Sequence, residues 1–220
     1  VSPTSARADA LKQEGNALYK SGRYADAVAR YTEAIGLRPQ LPVLWSNRAA
    51  VYLMQGRHRA ALRDSERATQ LDDGFVKGFL RAARAQLCLG HASTARKLFQ
   101  TALIKGSDRE VDSALLGLEQ CDVFSRASAA GRRWLSGGDG SRALEEADKA
   151  LDVAPAAQDV IRLKVGALLT LRQYATAIAF AAPFLPRVWR ARAGEGLGPE
   201  AESALSVALD TARGERVRLG

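Results

Sequence analysis

A spacing of 34 residues recurs through the first half of the chain and leaves few folds open to it. Gly22, Gly56 and Gly90 are separated by this period, as are Ala27, Ala61 and Ala95, and again Ala34, Ala68 and Ala102. Leu37 and Leu71 share it, as do Ala49 and Ala83, with Gly15 one period before Ala49. Ala27 and Ala34 lie seven residues apart on one face of a helix, where small side chains let a partner helix come close. A larger side chain there would push the two helices apart and strain the packing. Gly22, Gly56 and Gly90 fall where a left-handed residue closes a helix and starts a turn. Pro39 stops the second helix of its unit. Alanine-rich helices arising by chance would not put three positions on one period. The expected fold is all-α: helix pairs stacked in a row.

The pattern resembles the tetratricopeptide-repeat (TPR) motif, a helix-turn-helix unit of 34 residues. Repeat one, residues 8–41, carries Leu11, Gly15, Tyr19, Tyr24, Ala27, Tyr31, Ala34 and Pro39, and repeats two and three follow in register over 42–75 and 76–109. The period then breaks and resumes. Gly131, Gly138, Ala143, Ala150 and Pro155 match Gly15, Gly22, Ala27, Ala34 and Pro39 at a constant offset of 116, which is three periods plus 14 residues. The extra stretch, about 110–123, contains Val111, Leu115, Leu116 and Leu118 and reads as an extension of the first helix of repeat four. Repeat five, about 158–185, keeps Leu168, Tyr174 and Ala177, while Pro183 and Pro186 shorten its second helix. A last degenerate unit is suggested by Gly196, Ala201, Leu205 and Ala208, its first helix near Trp189 cut short by Gly194, Gly196 and Gly198. The resemblance implies an all-α TPR superhelix (an α-solenoid) of about five to six repeats with a break after the third. Residues 1–109 form a three-repeat block, and 110–220 a second, degenerate block joined by an extended helix.

Charge is distributed unevenly. The net charge is +8, yet residues 1–109 carry 18 Lys/Arg against 9 Asp/Glu, while 110–220 carry 14 against 15. A positive field confined to the first half points to an acidic ligand there, either nucleic acid or an acidic peptide. No run of residues approaches the roughly 18 apolar positions of a membrane helix. The chain starts Val1-Ser2-Pro3, with neither an initiating Met nor a charged-then-apolar leader, so secretion is not expected and a piece of a longer chain is. Cys88 and Cys121 sit in apolar helical patterns and read as core residues in a reducing compartment. A cytoplasmic location follows, with the nucleus open.

In TPR proteins the first helix of each pair lines the concave face. There this sequence offers Lys12 and Asn16 one turn apart, then Asn47, then Lys77 and Arg81 one turn apart. Two lysines, an arginine and two carboxamides on one groove can hold two carboxylates. The amides donate hydrogen bonds without mutual repulsion, and the cations add charge-assisted ones. A lone exposed ion pair contributes only about 0–1 kcal/mol, so several donors must act together to reach roughly micromolar affinity. The spacing resembles the dicarboxylate clamp of chaperone-binding TPR domains. That resemblance implies that Lys12, Asn16 and Asn47 hold a terminal carboxylate and that Lys77 and Arg81 hold acidic side chains. It implies a ligand too: the Glu-Glu-Val-Asp tail of heat shock protein 70 and/or 90. Glu14-Gly15-Asn16, Ser46-Asn47-Arg48-Ala49-Ala50 and Lys77-Gly78 fit the same family. Leu71-Asp72-Asp73-Gly74-Phe75-Val76-Lys77-Gly78 and the break after repeat three resemble the TPR-containing members of the DnaJ family. The chain has no His-Pro-Asp tripeptide and so no J domain of its own.

Taken singly, a Lys on a helix is most often a solvated charge and an Asn most often a cap; it is the set of five on one repeat that points to binding. Ala50, Leu53 and Met54 follow Asn47 at helical spacing and offer an apolar pocket for an upstream ligand residue, with core packing equally open for Leu53. His58 and His91, just after turn glycines, read as exposed surface. Trp45, Phe79 and Trp134 read as packing residues. Ser136-Gly137-Gly138-Asp139-Gly140 lacks the following Lys-Ser/Thr and the preceding strand of a phosphate loop, so it reads as a turn. No catalytic constellation, metal site or cofactor is expected. The expected function is a non-enzymatic co-chaperone scaffold. The alternatives are an RNA-binding helical-repeat protein, suggested by a pI near 9.9 but lacking a repeated base-reading pair, and a clamp-type targeting receptor.

Overall fold

The computed structural model describes residues 3–184. Pro186, Trp189 and the suggested last unit (Gly194, Gly196, Gly198, Ala201, Leu205 and Ala208) lie outside the described residues. Five helix pairs follow one another: α1 (Pro3–Lys20) with α2 (Tyr24–Leu37), α3 (Pro42–Met54) with α4 (His58–Leu71), and α5 (Val76–Cys88) with α6 (Ala92–Lys105). Next come α7 (Asp108–Ser136) with α8 (Gly140–Val153), and α9 (Gln158–Thr170) with α10 (Tyr174–Ala181), which ends in a 3-10 turn, Ala182–Phe184, containing Pro183. The described residues are an α-solenoid of TPR helix pairs, and α7, with 29 residues, absorbs the break in the period as continuous helix.

The period has a direct physical basis in both turn and contact. In each pair the first helix closes with two backbone bonds that leave one residue left-handed. In the first pair Gly22 N–H donates to the Tyr19 carbonyl at 3.1 Å and Arg23 N–H to the Leu18 carbonyl at 2.9 Å. The same two bonds recur around Gly56, Gly90 and Gly138, all at positive φ, in the Schellman arrangement that favours glycine. In the fifth pair the position falls to Arg172, with φ 57°. The small-residue rows are equally literal: Ala27, Ala61, Ala95, Ala143 and Ala177 are 0% exposed, as are Ala34, Ala68, Ala102 and Ala150. Ala61 packs with Ala49 of α3 and Ala85 of α5. Ala61→Leu is therefore expected to overpack this contact and cost about 1–3 kcal/mol. Thermal melting reads the loss, and an unshifted midpoint would mean that α4 turns another face to its neighbours.

The described residues divide into two compact units. One comprises residues up to Val123 together with Val153–Pro155; the other comprises Phe124–Asp152 and the described residues from Ala156 onward. Within the first unit, Gly117 of α7 meets Phe99 of α6 so closely that an added Cβ would lie 2.3 Å from the ring, which explains a glycine inside a helix. Within the second, Gly131 of α7 leaves room for Leu163 of α9, and Lys164 bonds Asp148 at 2.6 Å. Cys88 and Cys121 are buried, and burial pushes both thiols above the ordinary value.

Two surface assignments are corrected here. His58 is half-buried at the start of α4, its Nδ1 has no hydrogen-bond partner, and burial lowers its pKa, so it is no exposed residue. His91 is exposed, with Nδ1 2.8 Å from Gln86 Oε1. Trp134 is 38% exposed rather than a packing residue, with the Arg142 guanidinium 4.5 Å from its ring centroid. Trp45 and Phe79 are half-buried, and Trp45 Nε1 donates to the Pro39 carbonyl at 2.7 Å. No described helix is long and apolar enough to cross a membrane.

Candidate functional site

The first helices of the first three pairs, α1, α3 and α5, present the five expected side chains. Two side-chain bonds link these helices at the site. Asn47 Nδ2 donates to Asn16 Oδ1 at 3.3 Å, joining α3 to α1, and Arg81 Nη1 donates to Ser46 Oγ, joining α5 to α3. Ser46 is fully buried, so the guanidinium is anchored at its inner edge. Tyr31 of α2 reaches under the same place, its hydroxyl donating to Asn16 Oδ1 at 2.7 Å. Asn16, Asn47 and Tyr31 thus form one bonded group and Arg81 with Ser46 a second, with Ser46 and Asn47 adjacent on α3.

Arg81 is the unusual member. The residue is half-buried and its guanidinium partly removed from water, yet no carboxylate among the described residues pairs with it. Burial pulls its pKa below the ordinary value, and the nearby Tyr19 and Tyr31 phenols act in the opposite direction. A desolvated cation without a counterion raises the energy of the empty site, and an arriving carboxylate would relieve it. Contrast Arg48, one repeat earlier on α3, which binds Asp64 through Nε at 2.7 Å and Nη2 at 2.9 Å. Two half-buried arginines, on α3 and α5, have opposite states: one is satisfied within the fold and the other is open.

The two lysines are placed differently. Lys12 sits one turn before Asn16 but bonds Asp9 at 2.7 Å. The Lys12 hydrogen bond, followed by its charge, holds Asp9 below the usual carboxylate range, so Asp9 stays ionised and competes for that ammonium. Lys77, one turn before Arg81, is exposed, and its charge reaches Glu110 of α7. The apolar trio separates. Leu53 packs on the Ala49, Ala61 and Ala85 core cluster, Met54 is 55% exposed, and Ala50 is half-buried. Sequence reasoning missed Asp9 and Ser46 as partners of the site. Asp9 is visible as a carboxylate three residues before Lys12, whereas nothing in the spacing ties Ser46 to a residue 35 positions away.

The chain is similar to known proteins over its repeats. Residues 15–56 match the family model described as TPR repeat. The chain is 33% identical over 178 residues to human DnaJ homolog subfamily C member 7, a match covering 81% of this chain and 36% of the relative. It is 35% identical over 131 residues to the Hsp70-Hsp90 organizing protein of Triticum aestivum, covering 60% of this chain and 22% of the relative. It therefore spans only about a fifth to a third of these relatives. Among solved structures, the first TPR of Spaghetti (RPAP3) bound to HSP90 peptide SRMEEVD aligns with a TM-score of 0.51 and 28% identity, over 54% of this chain and 92% of that one. Repeat length, helix pairing and these matches show that the described residues are built of tetratricopeptide repeats.

Proposed function

We propose that this chain is a co-chaperone module whose first three repeats hold the acidic C-terminal tail of heat shock protein 70 and/or 90, ending Glu-Glu-Val-Asp. The observation that carries the reading is Arg81: a guanidinium partly shielded from water, without a carboxylate partner among the described residues, held by Ser46, the neighbour of Asn47 in a linked pair of carboxamides. Lys12, Asn16 and Asn47 would receive the main-chain carboxylate, and Lys77 and Arg81 the acidic side chains. The relatives agree with this. One is named for Hsp70 and Hsp90, and a TPR of similar fold carries a peptide with the same last four residues. The excess of positive charge in residues 1–109 would speed the approach of an acidic tail. Residues 110–220 would form the second TPR block. The module would have no catalytic activity of its own and would act in the cytoplasm or nucleus, alongside its chaperone partners.

A site of this composition should recognise a chain end and not acidity in general. The carboxamides are directional donors, where a purely electrostatic site would use more Lys or Arg. Amidating the last residue of a Glu-Glu-Val-Asp peptide removes one charge and one acceptor oxygen. Affinity is expected to fall at least about tenfold, or 1.4 kcal/mol. Calorimetry on the two peptides at physiological salt checks this. Equal affinities would leave only a basic patch, and a salt-sensitive RNA-binding reading would then take precedence.

A further inference from the structure

Asn16 makes more hydrogen bonds than a clamp residue needs for holding a ligand. Its Oδ1 accepts twice, from the Tyr31 hydroxyl at 2.7 Å and from Asn47 Nδ2 at 3.3 Å. A carboxamide oxygen has two lone pairs, and both are then in use. Its Nδ2 makes one long bond, 3.3 Å to Gln13 Oε1. Turning the amide over would put its NH2 group against the NH2 of Asn47, donor against donor. The Tyr31 hydroxyl, with Asn47, therefore decides which way the amide faces.

Tyr31 is held for that task. Its side chain is 2% exposed, and the ring lies against Gly15 so closely that a Cβ there would come within 2.8 Å of it. The hydroxyl has little freedom to swing away. Burial pushes the phenol up to about 12, against the opposing charge of Arg81, so at neutral pH it keeps its proton and remains a donor.

We infer that Tyr31 is a positioning residue: it turns the Asn16 amide so that its N–H groups face a ligand's main-chain carboxylate, and so sets the preference for a free chain end. This rests on the carboxylate-binding reading above. Without the hydroxyl, the Asn16 amide can rotate and present its oxygen to the carboxylate. Contacts from Lys77 and Arg81 to acidic side chains would be untouched, so the loss should fall on one end of the ligand only.

The test is Tyr31→Phe, titrated with free-acid and amidated Glu-Glu-Val-Asp peptides beside the wild-type chain. The variant should bind the free acid about three- to tenfold more weakly and the amidated peptide unchanged, which shrinks the ratio between them. A general weakening of the fold would lower both affinities together. If the wild type prefers the free acid and Tyr31→Phe prefers it equally, the positioning role is overturned and the site reading survives. If the wild type shows no preference, the site reading fails and this inference with it. Should the variant not fold, the wild-type side-chain amide spectrum decides, with the Asn16 signals identified by their loss in Asn16→Ala. Those signals should shift with the free-acid peptide and not with the amidated one; equal shifts with both overturn the role.

Discussion

Arg81→Met is expected to weaken binding of a free Glu-Glu-Val-Asp peptide by about 2–3 kcal/mol, roughly 30- to 150-fold, without destabilising the empty protein. The size follows from the environment of the guanidinium. A solvated surface pair would contribute only about 0–1 kcal/mol, because water screens the charges and two long side chains must be ordered. Arg81 has already given up part of its water, and its hydrogen bond to buried Ser46 holds it in place ahead of any ligand. Pre-ordering of this kind lowers the cost of association. Methionine keeps the apolar stem and removes only the charged head, so packing is preserved. The midpoint of the empty variant should hold, since losing a desolvated cation that has no counterion among the described residues offsets the lost hydrogen bond to buried Ser46. Calorimetry and melting on one preparation give both readouts. A change in affinity below about threefold would remove Arg81 from the site.

What is legible in the sequence is whatever repeats. The alanine rows and the turn glycines are set by one local geometry copied along the chain, so the period by itself is enough to identify them. Arg172 shows where that signal stops. The same two backbone bonds close α9, from Arg172 N–H to the Leu169 carbonyl and from Gln173 N–H to the Leu168 carbonyl, each at 2.9 Å, and they impose the left-handed conformation without a glycine to announce it. His58 is misread from sequence because its neighbour Gly56 marks a turn, and position in a turn says nothing about which way a ring folds. The clamp candidates are readable as residue types at repeat positions. Their states are not. Lys12 engaged with Asp9, Arg81 desolvated against Ser46 and Asn16 fixed by Tyr31 all depend on side-chain directions, and two of the three depend on partners on other helices. Periodicity carries the backbone; the difference between a satisfied and an open arginine appears only with the packing.

That difference also predicts the largest loss of stability. Asp64→Ala is expected to cost about 2–4 kcal/mol, near the range for breaking a buried pair from one side. Arg48 and Asp64 meet through two parallel bonds, and their side chains are only 14% and 8% exposed. The guanidinium also donates to Thr32 Oγ1 at 2.9 Å and stacks 5.1 Å from Trp45 and 5.8 Å from Tyr52. It cannot swing out to water without abandoning those contacts. Burial alone would lower the pKa of Arg48, but the Asp64 hydrogen bond and charge more than reverse this, and the group sits above its ordinary value. Removing Asp64 strands the charge in a packed place. Removing both charges should not: Arg48→Met with Asp64→Leu keeps comparable bulk, and such replacements of buried pairs often come out neutral or stabilising. The double variant should therefore recover most of what Asp64→Ala loses, a non-additivity that chemical denaturation can measure. If Asp64→Ala and the double variant melt alike, the cost lies in lost packing around α4 and not in the stranded arginine. If neither departs from the wild type, the pair is as weak as a surface bridge, and the contrast between a closed Arg48 and an open Arg81 loses its energetic meaning.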